Sequence, residues 1–198
     1  MKIPLDLTFK GNRHYIQGGD LFNSAEAVIQ AFFKSEKAYI NRLSFTRFAY
    51  NQCDLLIGDI PSPEEKIGEG SLTLPDGETR LFYLCEKSTK LLERRPYDEE
   101  SMVAPATYED RSAMLLAPLP YTSIEAVIAL TKVLSYRLNE PAQGKWVFGK
   151  IDLQQKLPAI RENLTIRQVK ALPGRFSVND VVIDNIRVAQ IHFIVGAP

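Results

Sequence analysis

Two cysteines, Cys53 and Cys85, and two histidines, His14 and His192, are the only thiols and imidazoles in 198 residues. They cannot build a four-cysteine zinc site or a disulfide framework, so reduced thiols, a cytoplasmic setting and no metal centre are expected. An excess of charge of either sign is also missing. Lys plus Arg and Asp plus Glu both number 24, which cancels the net charge and leaves no general field for nucleic acid or an anionic membrane surface. No stretch approaches the ~18 apolar residues of a membrane span, and Pro4 and Asp6 interrupt the place where an export signal would need an apolar run. The glycosylation triplet Asn163-Leu164-Thr165 therefore carries no weight. The nucleophile elbow, the phosphate-binding P-loop and the dinucleotide fingerprint are all absent, which removes the motif support for three large enzyme classes.

What the chain does contain is an internal repeat. Ser24-Ala25-Glu26-Ala27-Val28-Ile29 recurs 99 residues later as Ser123-Ile124-Glu125-Ala126-Val127-Ile128, identical at five of six positions. Asn23 and Thr122 stand where helix caps would, and Glu26 and Glu125 follow three residues on, a capping-box spacing that satisfies free N–H groups of a first turn. This predicts helices over 23 to about 36 and 122 to about 138. Their buried positions would include Val28, Ile29, Phe32 and Phe33 in one, and Val127, Ile128, Leu130, Thr131 and Leu134 in the other. After each helix, Leu43 to Tyr50 and Trp146 to Leu153 alternate, meet a basic residue (Arg47, Lys150) and shift apolar phase, which predicts a strand with a bulge or strong bend there.

Short strands are expected ahead of the helices at Ile3 to Phe9 and Ala113 to Leu116. A hairpin is expected across Asp76-Gly77, and strands over Leu164 to Val169, Arg175 to Ile183 and Ile186 to Val195, the last two joined at Asp184-Asn185. The segment Lys87 to Asp110, with its mixed charges and Pro96, reads as a surface crossover. The domain plan is a first unit over 1–90, a connection over 91–111 and a second unit over 112–198.

A capped apolar helix wrapped by a curved antiparallel sheet, present twice, resembles an α+β double hotdog. Gly11 to Asn23, Glu93-Arg94-Arg95-Pro96-Tyr97-Asp98 and Gly144-Lys145-Trp146-Val147-Phe148 resemble the leinamycin acyltransferase/decarboxylase family and its shorter biosynthetic relatives. The resemblance implies an acyl thioester on coenzyme A or on the phosphopantetheine arm of an acyl carrier protein. It implies no separate cofactor, allows a homodimer, and points to acyltransferase or decarboxylase chemistry of a polyketide-type pathway. A hotdog thioesterase or dehydratase and a catalytically silent acyl-binding module are the alternatives.

The approaches to the two helices differ in chemistry: His14 to Asp20 is polar and glycine-rich, Ala113 to Leu119 is apolar. A helix N-terminus offers unpaired N–H groups and the positive end of its dipole, so the backbone of Gly18, Gly19, Asp20 and Leu21 is a candidate donor set for a thioester carbonyl. Tyr15, with Arg13 to activate it, His14 and Asp20 are the candidate catalytic groups. Arg13, Gln17, Gly18, Gly19, Leu21 and Asn23 are the candidate substrate-binding residues. His192 alternates within a late strand and reads as a sheet residue.

Overall fold

The computed structural model describes residues 1–62 and 64–197. Two compact units divide the chain, the first over Met1–Tyr97 and the second from Asp98 onward. The segment expected to connect them, 91–111, is thus shared: Arg94–Arg95 is a strand of the first unit, and the residues after Tyr97 belong to the second.

In the first unit β1 (Lys2–Pro4), β2 (Phe9–Lys10) and α1 (Gly18–Phe33) precede β3 (Tyr39–Phe45), β4 (Asn51–Ile57), β5 (Lys66–Thr73), β6 (Thr79–Lys90) and β7 (Arg94–Arg95). The main sheet runs β1-β4-β6-β5-β3, all antiparallel, and β2 pairs with β7 in a separate parallel ribbon. The single expected strand Ile3 to Phe9 is therefore two short pieces on different sheets. Their separation lets Leu5 and Leu7 enter the core between them.

The first helix corrects the sequence reading. It opens at Gly18, five residues before Asn23, and its cap residue Gln17 is extended and makes no side-chain cap bond. Its buried stripe is Leu21, Phe22, Ala25 and Ile29; Phe32 is half exposed, and left-handed Lys34 ends the helix before 36. Glu26 is no capping residue: its Oε1 accepts from the Ile40 N–H at 3.4 Å, tying the helix to the start of β3.

The expected strand through Tyr50 also divides. β3 stops at Phe45, the chain bends at Thr46-Arg47, and a separate β4 starts at Asn51. Arg47 holds the bend by donating to the carbonyls of Glu64, Glu65 and Lys66 and to Glu86, so the bend is a side-chain staple. β5 reaches back from Ser71 to Lys66 through two glycines. A Cβ on Gly70 would lie 2.2 Å from the Arg42 carbonyl and 2.5 Å from the Phe82 ring, which is why a residue of low strand propensity sits here.

The second unit contains α2 (Glu99–Val103), β8 (Thr107–Glu109), β9 (Ser112–Leu116), α3 (Ser123–Leu138), β10 (Lys145–Leu153), β11 (Asn163–Leu172), β12 (Phe176–Ile183) and β13 (Ile186–Gly196). The short α2 replaces part of the expected surface crossover. It is capped by Asp98 and buries Met102 and Val103. Here the sheet runs β8-β9-β11-β12-β13-β10. Thr122 and Glu125 form the expected capping box, and Ile124, Ala126, Val127, Leu130, Thr131 and Leu134 are buried, while Ile128 is only half buried. The expected bulge in β10 falls between Phe148 and Lys150, and Asp184 and Asn185 turn the β12–β13 hairpin with φ of 49° and 65°.

An antiparallel sheet with few helices fits a hotdog fold. The helix repeat, however, is out of register. α1 and α3 both have 16 residues and are offset by 105, not 99. At 105 the buried Gly19, Leu21, Phe22, Ala25 and Ile29 fall on the buried Ile124, Ala126, Val127, Leu130 and Leu134. At 99 the exposed Ala27 would fall on the buried Ala126. The shared six-residue string is a local likeness between the middle of one helix and the start of another.

Candidate functional site

The first unit brings together two sequence stretches some 80 residues apart. β2 and β7 pair Phe9 with Arg94 and Lys10 with Arg95. Arg94 donates to the carbonyls of Gly11 and Arg13, the latter at 2.8 Å, and lies over the Phe9 ring. Gly11, at φ 55°, turns the loop back beneath the Tyr97 carbonyl. These contacts fix the loop that leads into α1, a segment with little core of its own.

Beside this ribbon lies a cavity of about 300 Å³ lined by Asp6, Leu7, Thr8, Lys10, Asp20, Asn23, Ser24 and Arg95. Seven of the eight are polar or charged, an unusual lining for an apolar acyl chain and a suitable one for a polar reacting group. Lys10 Nζ lies 2.5 Å from Asp20 Oδ1, with both side chains largely buried. The Lys10 ammonium is also 4.9 Å from the centre of the Tyr97 ring, and the Arg13 guanidinium 5.6 Å from the same ring. Asp20 stands in the first turn of α1, where the dipole favours a carboxylate. The cavity therefore carries a carboxylate and an ammonium in contact, and an uncharged ligand atom beside them would meet an acid–base group and a cation together.

Of the expected site residues, Asp20 and Asn23 line this cavity. Arg13 flanks it through Tyr97, and the Gln17 carboxamide oxygen, oriented by the same network, accepts from Arg13 at 2.9 Å. Tyr15 packs edge-on against Phe48 with ring centres 5.0 Å apart, and His14 is exposed; neither lines the cavity. Gly19 and Leu21 are buried against the core, and Gly18 opens the helix at its surface. Asp6, Thr8, Lys10, Ser24 and Arg95 escaped the sequence reading. The Arg94-Arg95-Pro96-Tyr97 stretch was visible as a charged motif, but its pairing with Phe9-Lys10 is a tertiary fact.

Two further polar groups of this unit are structural. Burial works against the charge on Glu86, yet N–H bonds from Tyr50 and Asn51 and the Arg47 guanidinium outweigh it and hold the carboxyl below the usual glutamate range. Burial pushes the Cys53 thiol up to about 12 and the Cys85 thiol to about 11, which makes both poor nucleophiles at neutral pH. In the second unit His192 Nε2 lies 3.7 Å from Asp152, which Lys150 also approaches at 2.6 Å, on the outward face of the sheet. Among the described residues no group of three or more His, Cys, Asp or Glu is placed to hold a metal ion, and no helix is long and apolar enough to cross a membrane.

No family model matches the chain, and no curated protein matches it. Among solved structures it is similar to the bifunctional dehydratase-cyclase domain of ambruticin biosynthesis, at 10% identity and a TM-score of 0.48, covering 92% of this chain and 83% of that one. It is similar to the pyran synthase domain from module nine of the sorangicin pathway, at 11% identity and 0.49, covering 96% and 91%. A third similar structure is the tesB protein of Mycobacterium avium subspecies paratuberculosis, at 9% identity and 0.48, covering 97% and 92%.

Proposed function

We propose that the protein processes an acyl thioester at the cavity of its first unit, and that its two units are a tandem pair of hotdog units of which the first carries the chemistry. The thioester sits on coenzyme A or on the phosphopantetheine arm of an acyl carrier protein, and the reaction is of the acyltransferase/decarboxylase kind. The observation that supports the reading is the convergence of the polar loop 9–23 and the strand Arg94–Arg95 on a polar cavity containing a Lys10–Asp20 pair.

In this reading Asp20 is the acid–base group. Lys10 holds its charge and its direction, and supplies the cation toward which negative charge on a thioester oxygen develops. Asn23 and Ser24, one turn along α1, are the neutral donors that orient the substrate. Tyr15, packed on Phe48, and the exposed His14 do not line the cavity and take no part in the chemistry.

The test is incubation with a panel of acyl-CoA and acyl-carrier thioesters, following the intact mass of protein and carrier. Asp20→Asn is expected to lower turnover by about 10²–10⁴-fold. Tyr15→Phe is expected to stay within a few-fold of the wild type. Full activity in Asp20→Asn removes the cavity from the chemistry. Binding of a thioester, seen as a raised melting temperature, without turnover of any panel member replaces the enzyme by an acyl-binding module.

A further inference from the structure

The interior of the second unit contains a line of polar side chains where an apolar core is expected. Gln168 on β11 and Asn179 on β12 stand directly opposite each other in the strand register, 4% and 0% exposed. Opposed residues of an antiparallel pair hold their Cβ atoms about 5 Å apart. Ser177 on β12 and Ser135 on α3, both fully buried, continue the line, their hydroxyl oxygens 3.3 Å apart.

The bonding fixes how both carboxamides are turned. Asn179 Nδ2 donates to the Ile191 carbonyl at 3.3 Å and to Ser177 Oγ at 3.1 Å; a carbonyl accepts only, so the nitrogen must be on that side. Gln168 Oε1 accepts from the Arg111 guanidinium at 2.9 Å, and a guanidinium donates only. What remains is one buried donor, Gln168 Nε2, and one buried acceptor, Asn179 Oδ1, neither with a partner. Two opposed carboxamides with one free donor and one free acceptor would bond to each other if they reached, and they do not. Leaving both groups unpaired in a core costs far more than pairing them through a third group.

We infer that the second unit has an internal site beneath α3 for one small hydroxyl-type ligand, which accepts from Gln168 Nε2 and donates to Asn179 Oδ1. Water is the ligand that has this chemistry at this size. A hydroxyl carried on a longer ligand is the other source of the same chemistry. Arg111, exposed at the outer end of the line, marks the side from which it would enter. The inference is independent of the chemistry proposed for the first unit.

A crystal structure at a resolution that shows ordered water tests the site without altering the protein. One isolated density peak within hydrogen-bond distance of both atoms is expected. An empty site, or direct bonding of the two carboxamides, overturns the inference. In crystals grown with pantetheine, an unchanged peak identifies water, and its replacement by the ligand's hydroxyl identifies the other source. Solution measurements add a second reading. Gln168→Leu and Asn179→Leu are each expected to lower the melting temperature by roughly 2–10 °C, and the double variant to lower it by less than the sum, since removing both partners removes the demand for a bridge. Strict additivity counts against a shared ligand.

Discussion

The two units use the same parts in different orders. Each has one 16-residue helix, followed by four strands of the main sheet, yet the first unit inserts β6 between β4 and β5, whereas the second runs β11, β12 and β13 as a meander with β10 beside β13. Their polar residues are distributed just as differently. In the first unit Lys10, Asp20, Asn23 and Arg95 gather around a cavity beside a helix whose start has no side-chain cap. In the second, Thr122 and Glu125 consume the bonding capacity at the helix start, and the unusual polar groups lie inside, at Gln168, Asn179, Ser177 and Ser135. The lesson is that equal element lengths need not mean equal polar surroundings: one helix start is satisfied by its own side chains, and the other is left uncapped beside a charged pair.

The comparison can be broken most forcefully in the cores. Ile29→Ala and Leu134→Ala remove fully buried side chains that match at offset 105, and each is expected to cost about 2–5 kcal/mol in urea unfolding. Ile128→Ala, the partner of Ile29 at offset 99, is half buried and is expected to cost clearly less. Equal losses for Ile29 and Ile128, with little at Leu134, would restore the offset-99 register. Two local probes separate the units in these experiments. Cys53 and Cys85 both lie in the first and label only as it opens, and Trp146, the sole tryptophan, reports the second.

Next in size is the cap. Thr122→Ala is expected to destabilise by about 1 kcal/mol, read by tryptophan fluorescence during denaturation. Gln17→Ala at the corresponding place in α1 is expected to cost less than about 0.5 kcal/mol, because no cap bond is lost. A large loss at Gln17 would erase the contrast between the helix starts.

The smallest expected effect is a pH slope confined to the first unit. The carboxyl of Glu86 is held below its unfolded value of about 4.3, so the native state binds this proton less readily than the unfolded chain. Its contribution is present above that unfolded value and is lost as pH falls through the lower folded one. Glu86→Gln should flatten the acid limb of stability, followed by thiol labelling; an unchanged acid limb would show that the Arg47 staple is indifferent to the charge.

The hairpin turns and the second helix were legible because their causes are local. Asp76-Gly77 turns with glycine at φ 87°, Asp184-Asn185 with both residues left-handed, and Thr122 with Glu125 caps α3. The start of the first helix is not legible locally because Asn23-Ser24-Ala25-Glu26 imitates a cap, while the true signal is the buried stripe Leu21, Phe22, Ala25 and Ile29. β4 was hidden by Asp54, a nearly fully buried carboxylate that breaks the apolar alternation of the strand and is held by Lys2 at 3.1 Å and Lys87 at 3.4 Å. Of the candidate site, Asp20 and Asn23 could be found from sequence, since a polar approach to a helix is a local pattern.

Local pattern is enough to specify an α+β chain of two helix-and-sheet halves, with its turns placed by glycine, aspartate and asparagine acting on their own backbone. The order of the strands, the partner of Lys10 and the ribbon that sets Arg95 against the same cavity arise only in the folded chain. Period-two patterning states which face of a strand is buried but not which strand lies beside it. A pairing of distant segments such as Phe9–Lys10 with Arg94–Arg95 exists only once the chain entropy of bringing them together has been met by the burial of Leu21, Phe22 and their neighbours.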